Sequence, residues 1–123
     1  ATTEIYTLSL HDALPIYNLS FALFSLLMKE TLDFDQTVGE VMKWAAKDGE
    51  TLVVVTADHE TGGLTLVNGN QDEGRVGCCL STKDHSGAKV PGYAFGPGAE
   101  NFTGIFENTD VFKKIKKLMT EGE

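Results

Sequence analysis

The clearest pattern in the chain is a short apolar run that gives way abruptly to polar residues. Residues 52–55 read Leu-Val-Val-Val without alternation. Such a run is typical of a strand buried on both faces, as in a parallel sheet flanked by helices. Polar residues and two glycines follow at once. Because ligand sites in open α/β sheets lie just beyond the carboxyl ends of strands, the pattern predicts an α/β fold with a candidate site here.

Two helices are predicted from apolar residues that recur at helical spacing. The first covers residues 29–47 and ends before Gly49, a residue type that favours the position just past a helix. The second covers residues 108–119, with Asp110 in the first turn, where the helix dipole favours negative charge. Its lysines fill the gaps in the apolar stripe, which is typical of a solvated face. The apolar faces comprise Phe34, Val38, Val41, Met42 and Ala45, and Val111, Phe112, Ile115, Leu118 and Met119.

Further short strands are predicted between the two helices. Residues 64–67 form one strand, the Asn-Gly-Asn at 68–70 a turn, and residues 71–77 a polar loop. Residues 78–81 are expected to re-enter the sheet. The segment 90–99 reads as a strand that leaves into a turn rich in glycine and proline, and Pro91 places it at a strand start or edge.

The first part of the chain has a different character from the rest. Residues 1–17 have no helical or strand period and resemble a translated sequencing-adapter read-through. The apolar residues 19–28 are shorter than the roughly 20 needed to cross a membrane, and they lack the flanking features of a signal peptide. They form either a short buried helix or the end of the non-native stretch. We therefore divide the chain into a non-native or disordered leader, residues 1–27, and a domain, residues 28–123.

Composition narrows the classes of partner. The 123 residues carry a formal net charge of −8, which disfavours nucleic acids and anionic membranes as partners. The two cysteines, Cys78 and Cys79, are adjacent, so a disulfide between them would be strained. The sequence has no Cys-x-x-Cys spacing, so it gives no indication of a thiolate zinc site. We interpret the pair as small apolar residues, with an inter-chain disulfide as the alternative.

Three side chains are candidate metal ligands. Asp58 and His59 follow the apolar run, and a carboxylate and a neutral imidazole are standard zinc donors. Neighbours on a regular strand point to opposite faces, so the backbone must break there, and Gly62 and Gly63 allow that. His85 lies in a loop with Ser and Gly. Considered without their context, Asp58 and His59 could instead be a helix cap or a hydrogen-bonded surface pair. His85 could likewise be an ordinary surface residue. His11, beside Asp12 in the leader, is given little weight.

The residues around these candidates resemble the bacterial alkaline phosphatases. Residues 51–63, Thr-Leu-Val-Val-Val-Thr-Ala-Asp-His-Glu-Thr-Gly-Gly, resemble the metal-site strand of that family. His85 is followed by Ser-Gly and then by Val-Pro-Gly-Tyr-Ala-Phe-Gly-Pro-Gly-Ala-Glu at 90–100, as is a later metal-binding histidine of the family. The resemblance covers residues 28–119. It implies the C-terminal part of an α/β domain, a three-layer sandwich whose mainly parallel central sheet is flanked by helices.

The resemblance also implies a chemistry. Members hydrolyse small phosphate monoesters at two zinc ions with magnesium nearby, through a phosphoseryl intermediate. Asp58 and His59 would hold the zinc beside the nucleophile, and His85 the zinc beside the leaving group. The nucleophilic serine, the phosphate-clamping arginine and the magnesium ligands match nothing in this chain, and Arg75 is not assigned the clamp. We therefore expect no catalytic nucleophile here.

Several broader expectations follow from the same resemblance. We expect a periplasmic or secreted protein, homodimeric at full length, that has no membrane span. Because so much of the family's site is missing, a catalytically inactive truncated fragment is one alternative. A related metallohydrolase, such as a relative of the sulfatases or phosphoglycerate mutases, is another. The segment at 90–100 argues against the latter.

Overall fold

The computed structural model of the chain describes residues 21–121, with side chains described for residues 25–120. The architecture is mixed α/β, with a long first helix, four short strands, a 3₁₀ helix and a final helix. In chain order these are α1 (Phe21–Asp48), β1 (Val53–Thr56), β2 (Thr65–Asn70), β3 (Arg75–Cys79), β4 (Gly92–Phe95), the 3₁₀ helix (Ala99–Phe102) and α2 (Asn108–Glu121). Residues 1–20 of the predicted leader, which include His11, lie outside the described residues.

Helix α1 begins earlier than predicted and ends where predicted. It starts at Phe21 rather than at residue 29, because residues 21–28 contain neither glycine nor proline and include strong helix formers such as leucine and methionine. At the other end, Gly49 has a φ of 75° and donates its N–H to the carbonyl oxygen of Ala45 at 2.9 Å. That is the expected C-terminal cap. Ala45 is buried, whereas Met42 on the predicted apolar face is exposed.

The four strands form two separate antiparallel pairs. Strand β1 pairs with β4, so that Val53 lies opposite Phe95, and β2 pairs with β3. Within residues 21–121, β4 is the one strand paired with β1, so the parallel pairing predicted for β1 is not seen there. The apolar run does not give the direction of the partner strand. The predicted burial of β1 is confirmed only at Val53, because Val54 and Val55 are half-buried and Thr56 is exposed. The three-layer sandwich around a parallel sheet stays a prediction.

The β2–β3 hairpin turns later than the sequence predicts. Strand β2 continues through the predicted turn to Asn70, and the chain reverses at residues 71–74. The Asn70 side-chain oxygen accepts the N–H groups of Asp72 and Glu73 at 3.0 and 3.2 Å, and Gly74 adopts a φ of 59°. This side-chain turn displaces the one predicted at 68–70. Strand β3 contains both cysteines, which are free thiols.

The core lies between the end of α1, strand β1 and the segment after β4. Helix α1 contacts β1, and β4 contacts the 3₁₀ helix, which in turn contacts α2. Helix α2 has nearly the predicted bounds, 108–121 against 108–119. None of the described helices combines the length and the apolar character needed to span a membrane. The buried side chains of this core are those of Ala45, Leu52, Val53 and Phe102, together with the polar Thr51.

Candidate metal site

Asp58 and His59 stand immediately beyond the carboxyl end of β1. The N–H of His59 donates to Asp58 Oδ1 at 3.0 Å. His59 Nδ1 lies 2.8 Å from the carbonyl oxygen of Glu60. Because a carbonyl oxygen can only accept, Nδ1 carries the proton in this hydrogen bond. In a neutral ring that leaves the lone pair on Nε2, the tautomer that a metal-binding histidine of this kind adopts.

The free ring nitrogen of His59 faces the neighbouring carboxylate. Nε2 lies 3.7 Å from Asp58 Oδ2, and both side chains are substantially exposed, at 44% for His59 and 57% for Asp58. Two donors about 2.0–2.1 Å from one tetrahedral zinc ion lie roughly 3.4 Å apart. The two atoms are therefore spaced almost as a pair of donors to one zinc ion would be.

His85 lies against His59 although 26 residues separate them in the chain. The centroids of the two imidazole rings are 3.6 Å apart, and the ring planes are inclined by 33°. The N–H of His85 donates to Asp84 Oδ1 at 2.8 Å, which fixes the backbone on that side. The structure thus places all three candidate side chains at one rim, beyond β1. The role of each as a metal ligand stays a prediction.

The glycines after Glu60 allow the two loops to meet. Gly62 and Gly63 have φ values of 59° and 63°, a region that side chains disfavour. The carbonyl oxygen of Gly62 accepts the N–H groups of Ser81 and Thr82 at 2.8 and 3.1 Å. A Cβ atom at Gly63 would lie 2.9 Å from the side chain of Ser81. Glycine is therefore needed here for the close approach of the loop that carries His85, as well as for the break in the strand.

Sequence reasoning missed Glu60. One carboxylate oxygen accepts the N–H of Gly63, and the other accepts the N–H of Ser86. The hydrogen bond from Gly63 is the main reason why the pKa of Glu60 is lowered; partial loss of water acts in the opposite direction, and the N–H of Ser86 lowers the pKa further. The pairing with Gly63 has a local sequence signal, a glutamate three residues before a glycine. The pairing with Ser86 has none.

An open groove runs past Asp58 and His59. Its other walls include Phe34 of α1, Phe102 of the 3₁₀ helix and the first residues of α2. Lys89, on the segment after His85, is its one lysine. The groove is thus lined by two acidic residues, Asp58 and Glu107, by the imidazole of His59 and by Lys89, and its far side combines apolar and polar residues.

The chemistry of the donors suits zinc, but their number does not complete a site. A closed zinc site has four ligands, and Asp58, His59 and His85 supply three donors of the appropriate types. Among residues 21–121, no three His, Cys, Asp or Glu side chains are arranged so that they could hold one ion together. This is compatible with the donors belonging to two ions, each of which needs further ligands.

Comparisons with known proteins identify the relatives of the chain. The family model described as alkaline phosphatase matches residues 23–75, a range that includes Asp58 and His59 and that begins inside the predicted leader. Alkaline phosphatase H of Pseudomonas aeruginosa is 34% identical over 113 residues, covering 73% of this chain and 22% of the relative. The alkaline phosphatase of Escherichia coli K12 is 32% identical over 107 residues, with the same coverage of 73% and 22%.

A solved structure shows the same relationship in three dimensions. It is a mutant of the alkaline phosphatase of the Antarctic bacterium TAB5 with magnesium bound, and it is 43% identical to this chain with a TM-score of 0.71. The match covers 80% of this chain and 31% of the TAB5 chain. This chain therefore spans about a fifth of the length of the curated relatives described above, in their C-terminal region.

Proposed function

Because the chain is related to the alkaline phosphatases in sequence and in fold, we propose that it contributes to the hydrolysis of phosphate monoesters at a site with two zinc ions and a nearby magnesium ion. The observation that carries the proposal is the contact between the rings of His59 and His85, next to Asp58. Two loops that are distant in the chain bring these metal-binding side-chain types to one rim.

Each donor has a distinct role in the proposal. Asp58 and His59 hold the zinc ion beside a nucleophilic serine, and His85 holds the zinc ion beside the leaving group. When bound, such a pair of ions neutralises charge on the entering and departing oxygens of an in-line displacement. The hydrogen bond from His59 Nδ1 to the Glu60 carbonyl orients the ring and keeps Nε2 available. The groove beside them admits the phosphate ester.

The remaining parts of the mechanism lie outside this chain in the proposal. The serine that forms the phosphoseryl intermediate, the magnesium ligands and the other zinc ligands belong to the region of the family that this chain does not match. Large apolar side chains such as Leu32 and Trp44 are exposed, at 64% and 46%, which fits packing against further elements of a three-layer sandwich. A periplasmic or secreted location and a homodimer are proposed from the family alone.

A phosphatase assay with p-nitrophenyl phosphate, zinc and magnesium tests the proposal. We expect no turnover from the 123-residue chain, because none of its residues matches the nucleophilic serine of the family. A longer protein in which this chain is joined to the missing family regions should turn over. There, His59→Ala and His85→Ala should each reduce kcat/KM by more than about 100-fold, since loss of a ligand exceeds the cost of changing an outer residue.

The control variant is Gln71→Ala, an exposed change in the β2–β3 turn that should leave kcat/KM unaltered. Full activity in both histidine variants of the longer protein would contradict the proposed roles. Turnover by the 123-residue chain that His59→Ala abolishes would show that the chain is an enzyme by itself.

A further inference from the structure

The Glu60 carboxylate joins the two loops that carry the candidate donors. It follows His59 directly, and the N–H that it accepts from the other loop belongs to Ser86, the residue after His85. Its second oxygen accepts the N–H of Gly63, at the far end of its own loop. The side chain of the residue after His59 therefore binds the backbone of the residue after His85.

The other hydrogen bonds between these loops attach further from His85. The N–H groups of Ser81 and Thr82 donate to the Gly62 carbonyl, and the Ser81 hydroxyl donates to the Gly63 carbonyl at 3.3 Å. These contacts hold the start of the second loop. In the segment from Asp84 onward, the Ser86 N–H donates to Glu60, so this carboxylate supports the backbone beside His85.

A carboxylate suits this position better than the amide of a glutamine. Both partners are N–H donors, and an ionised carboxylate has two oxygens that only accept. A glutamine of the same length could accept one N–H, but its amide group would meet the other donor with a donor of its own.

We propose that Glu60 is a positioning residue that holds the imidazoles of His59 and His85 in contact, so that both can take divalent cations at one rim. The metal-binding role of the two histidines rests on the proposed function, whereas the contact between their rings can be measured in this chain without metal. Outer-shell partners of metal ligands typically change metal affinity by about 10–100-fold when they are altered.

Nuclear magnetic resonance on the metal-free 123-residue chain provides the direct test. The unmutated chain should show a nuclear Overhauser effect between the ring protons of His59 and His85. Glu60→Gln should weaken this effect and Glu60→Ala should abolish it, while the amide signals of α1, β1 and β4 stay in place. The matched control is Glu73→Gln in the β2–β3 turn, where the carboxylate forms an exposed ion pair with Arg75 at 3.4 Å.

Zinc binding by calorimetry then connects positioning to function. Glu60→Gln should weaken zinc binding by about 10–100-fold, and Glu73→Gln should not change it. An unaltered ring contact together with unaltered zinc affinity in Glu60→Ala would overturn the inference. If the unmutated chain binds no zinc, the metal function proposed for this rim is wrong. The positioning role of Glu60 is then tested by the nuclear Overhauser effect between the rings of His59 and His85.

A measurement on the unmutated chain covers the case in which Glu60→Ala does not fold. The amide proton of Ser86 should exchange with solvent more slowly than that of Gly87, because the Glu60 carboxylate accepts it. Exchange of the Ser86 amide at the rate of an unprotected loop would contradict the inference without recourse to any variant.

Discussion

Both small sheets are antiparallel pairs of strands, but one is covered by other elements and the other is exposed to solvent. In β1–β4, the start of β1 contacts α1 and is buried, with Val53 at 9% exposure and Leu52, the residue before the strand, at 5%. In β2–β3, by contrast, Leu66 is 65% exposed and Val67 is 55% exposed. An isolated two-stranded ribbon is marginally stable in water, so cover decides which of the two can be a rigid support. The candidate donors extend from the covered sheet.

The comparison explains how an exposed site can still be well defined. Asp58 and His59 are solvent-accessible, but they begin two residues after a strand whose other end is in the core. Glu60 and Gly62 then connect the second loop to this support through hydrogen bonds. Precision at the rim therefore comes from burial at one end of β1 and from backbone hydrogen bonds at the other.

The largest expected contrast between the sheets is in core truncation. Leu52→Ala should lower the free energy of unfolding by about 2–5 kcal/mol, because it removes a buried side chain and leaves a cavity. Leu66→Ala, the same change on the uncovered sheet, should alter it by no more than about 0.5 kcal/mol. Urea unfolding followed by circular dichroism measures both. Equal losses would show that the two sheets are equally covered.

A smaller contrast is expected from glycine substitutions in the two turn regions. Gly96 ends β4 with a φ of 101°, and a Cβ atom there would collide with the backbone carbonyl of Thr51. Gly96→Ala should therefore cost about 2–3 kcal/mol of unfolding free energy. Gly74 in the β2–β3 turn has a φ of 59° but open space around it, so Gly74→Ala should cost about 1 kcal/mol.

The same unfolding experiment checks the glycine pair. A loss for Gly74→Ala as large as that for Gly96→Ala would mean that the positive φ dominates and that the contact between β4 and the start of β1 is unimportant.

The smallest expected effect concerns Asp110 in the first turn of α2, which packs on the 3₁₀ helix after β4. The ammonium group of Lys113 lowers the pKa of this carboxyl below its usual value of 3.8. A lowered folded-state pKa stabilises the fold above that usual value, and the contribution disappears as the pH falls through the lowered pKa. Asp110→Asn should thus reduce Tm slightly at neutral pH and not at all in strong acid.

Thermal unfolding of both proteins across that range measures the difference. Asp72→Asn in the β2–β3 turn is the control, and it should leave the helical signal of α2 unchanged. A Tm difference for Asp110→Asn that persists at the acid end would contradict the assignment to this carboxylate.

Local signals predicted much of the fold. The cap at Gly49 and the bounds of α2 depend on neighbours within a few residues, and both are confirmed. The apolar stripe predicted for α2 is confirmed only in part, because Phe112 is 69% exposed and Met119 is 54% exposed. The turn at 68–70 was wrong because an Asn-Gly pair is a strong turn signal, yet the Asn70 side chain satisfies two N–H groups further on. The start of α1 was placed too late because the apolar residues before residue 29 were attributed to the leader.

In the candidate site, too, local sequence predicts some features and misses those that depend on distant residues. Asp58 and His59 were found because they follow a recognisable strand, and His85 because of the family resemblance around it. The link from Glu60 to Ser86 spans 26 residues and leaves no periodic or local trace, so only the structure reveals it. The antiparallel pairing of β1 with β4 escaped prediction for a related reason, since β-branched residues favour a strand without choosing its partner.

Zinc titration of the 123-residue chain, followed through the imidazole signals of its three histidines, tests the central claim most directly. The account predicts that the ring signals of His59 and His85 shift saturably as zinc is added, while His11 serves as an internal reference that does not respond. Movement of the His11 signal alone, with His59 and His85 unchanged at saturating zinc, would contradict it.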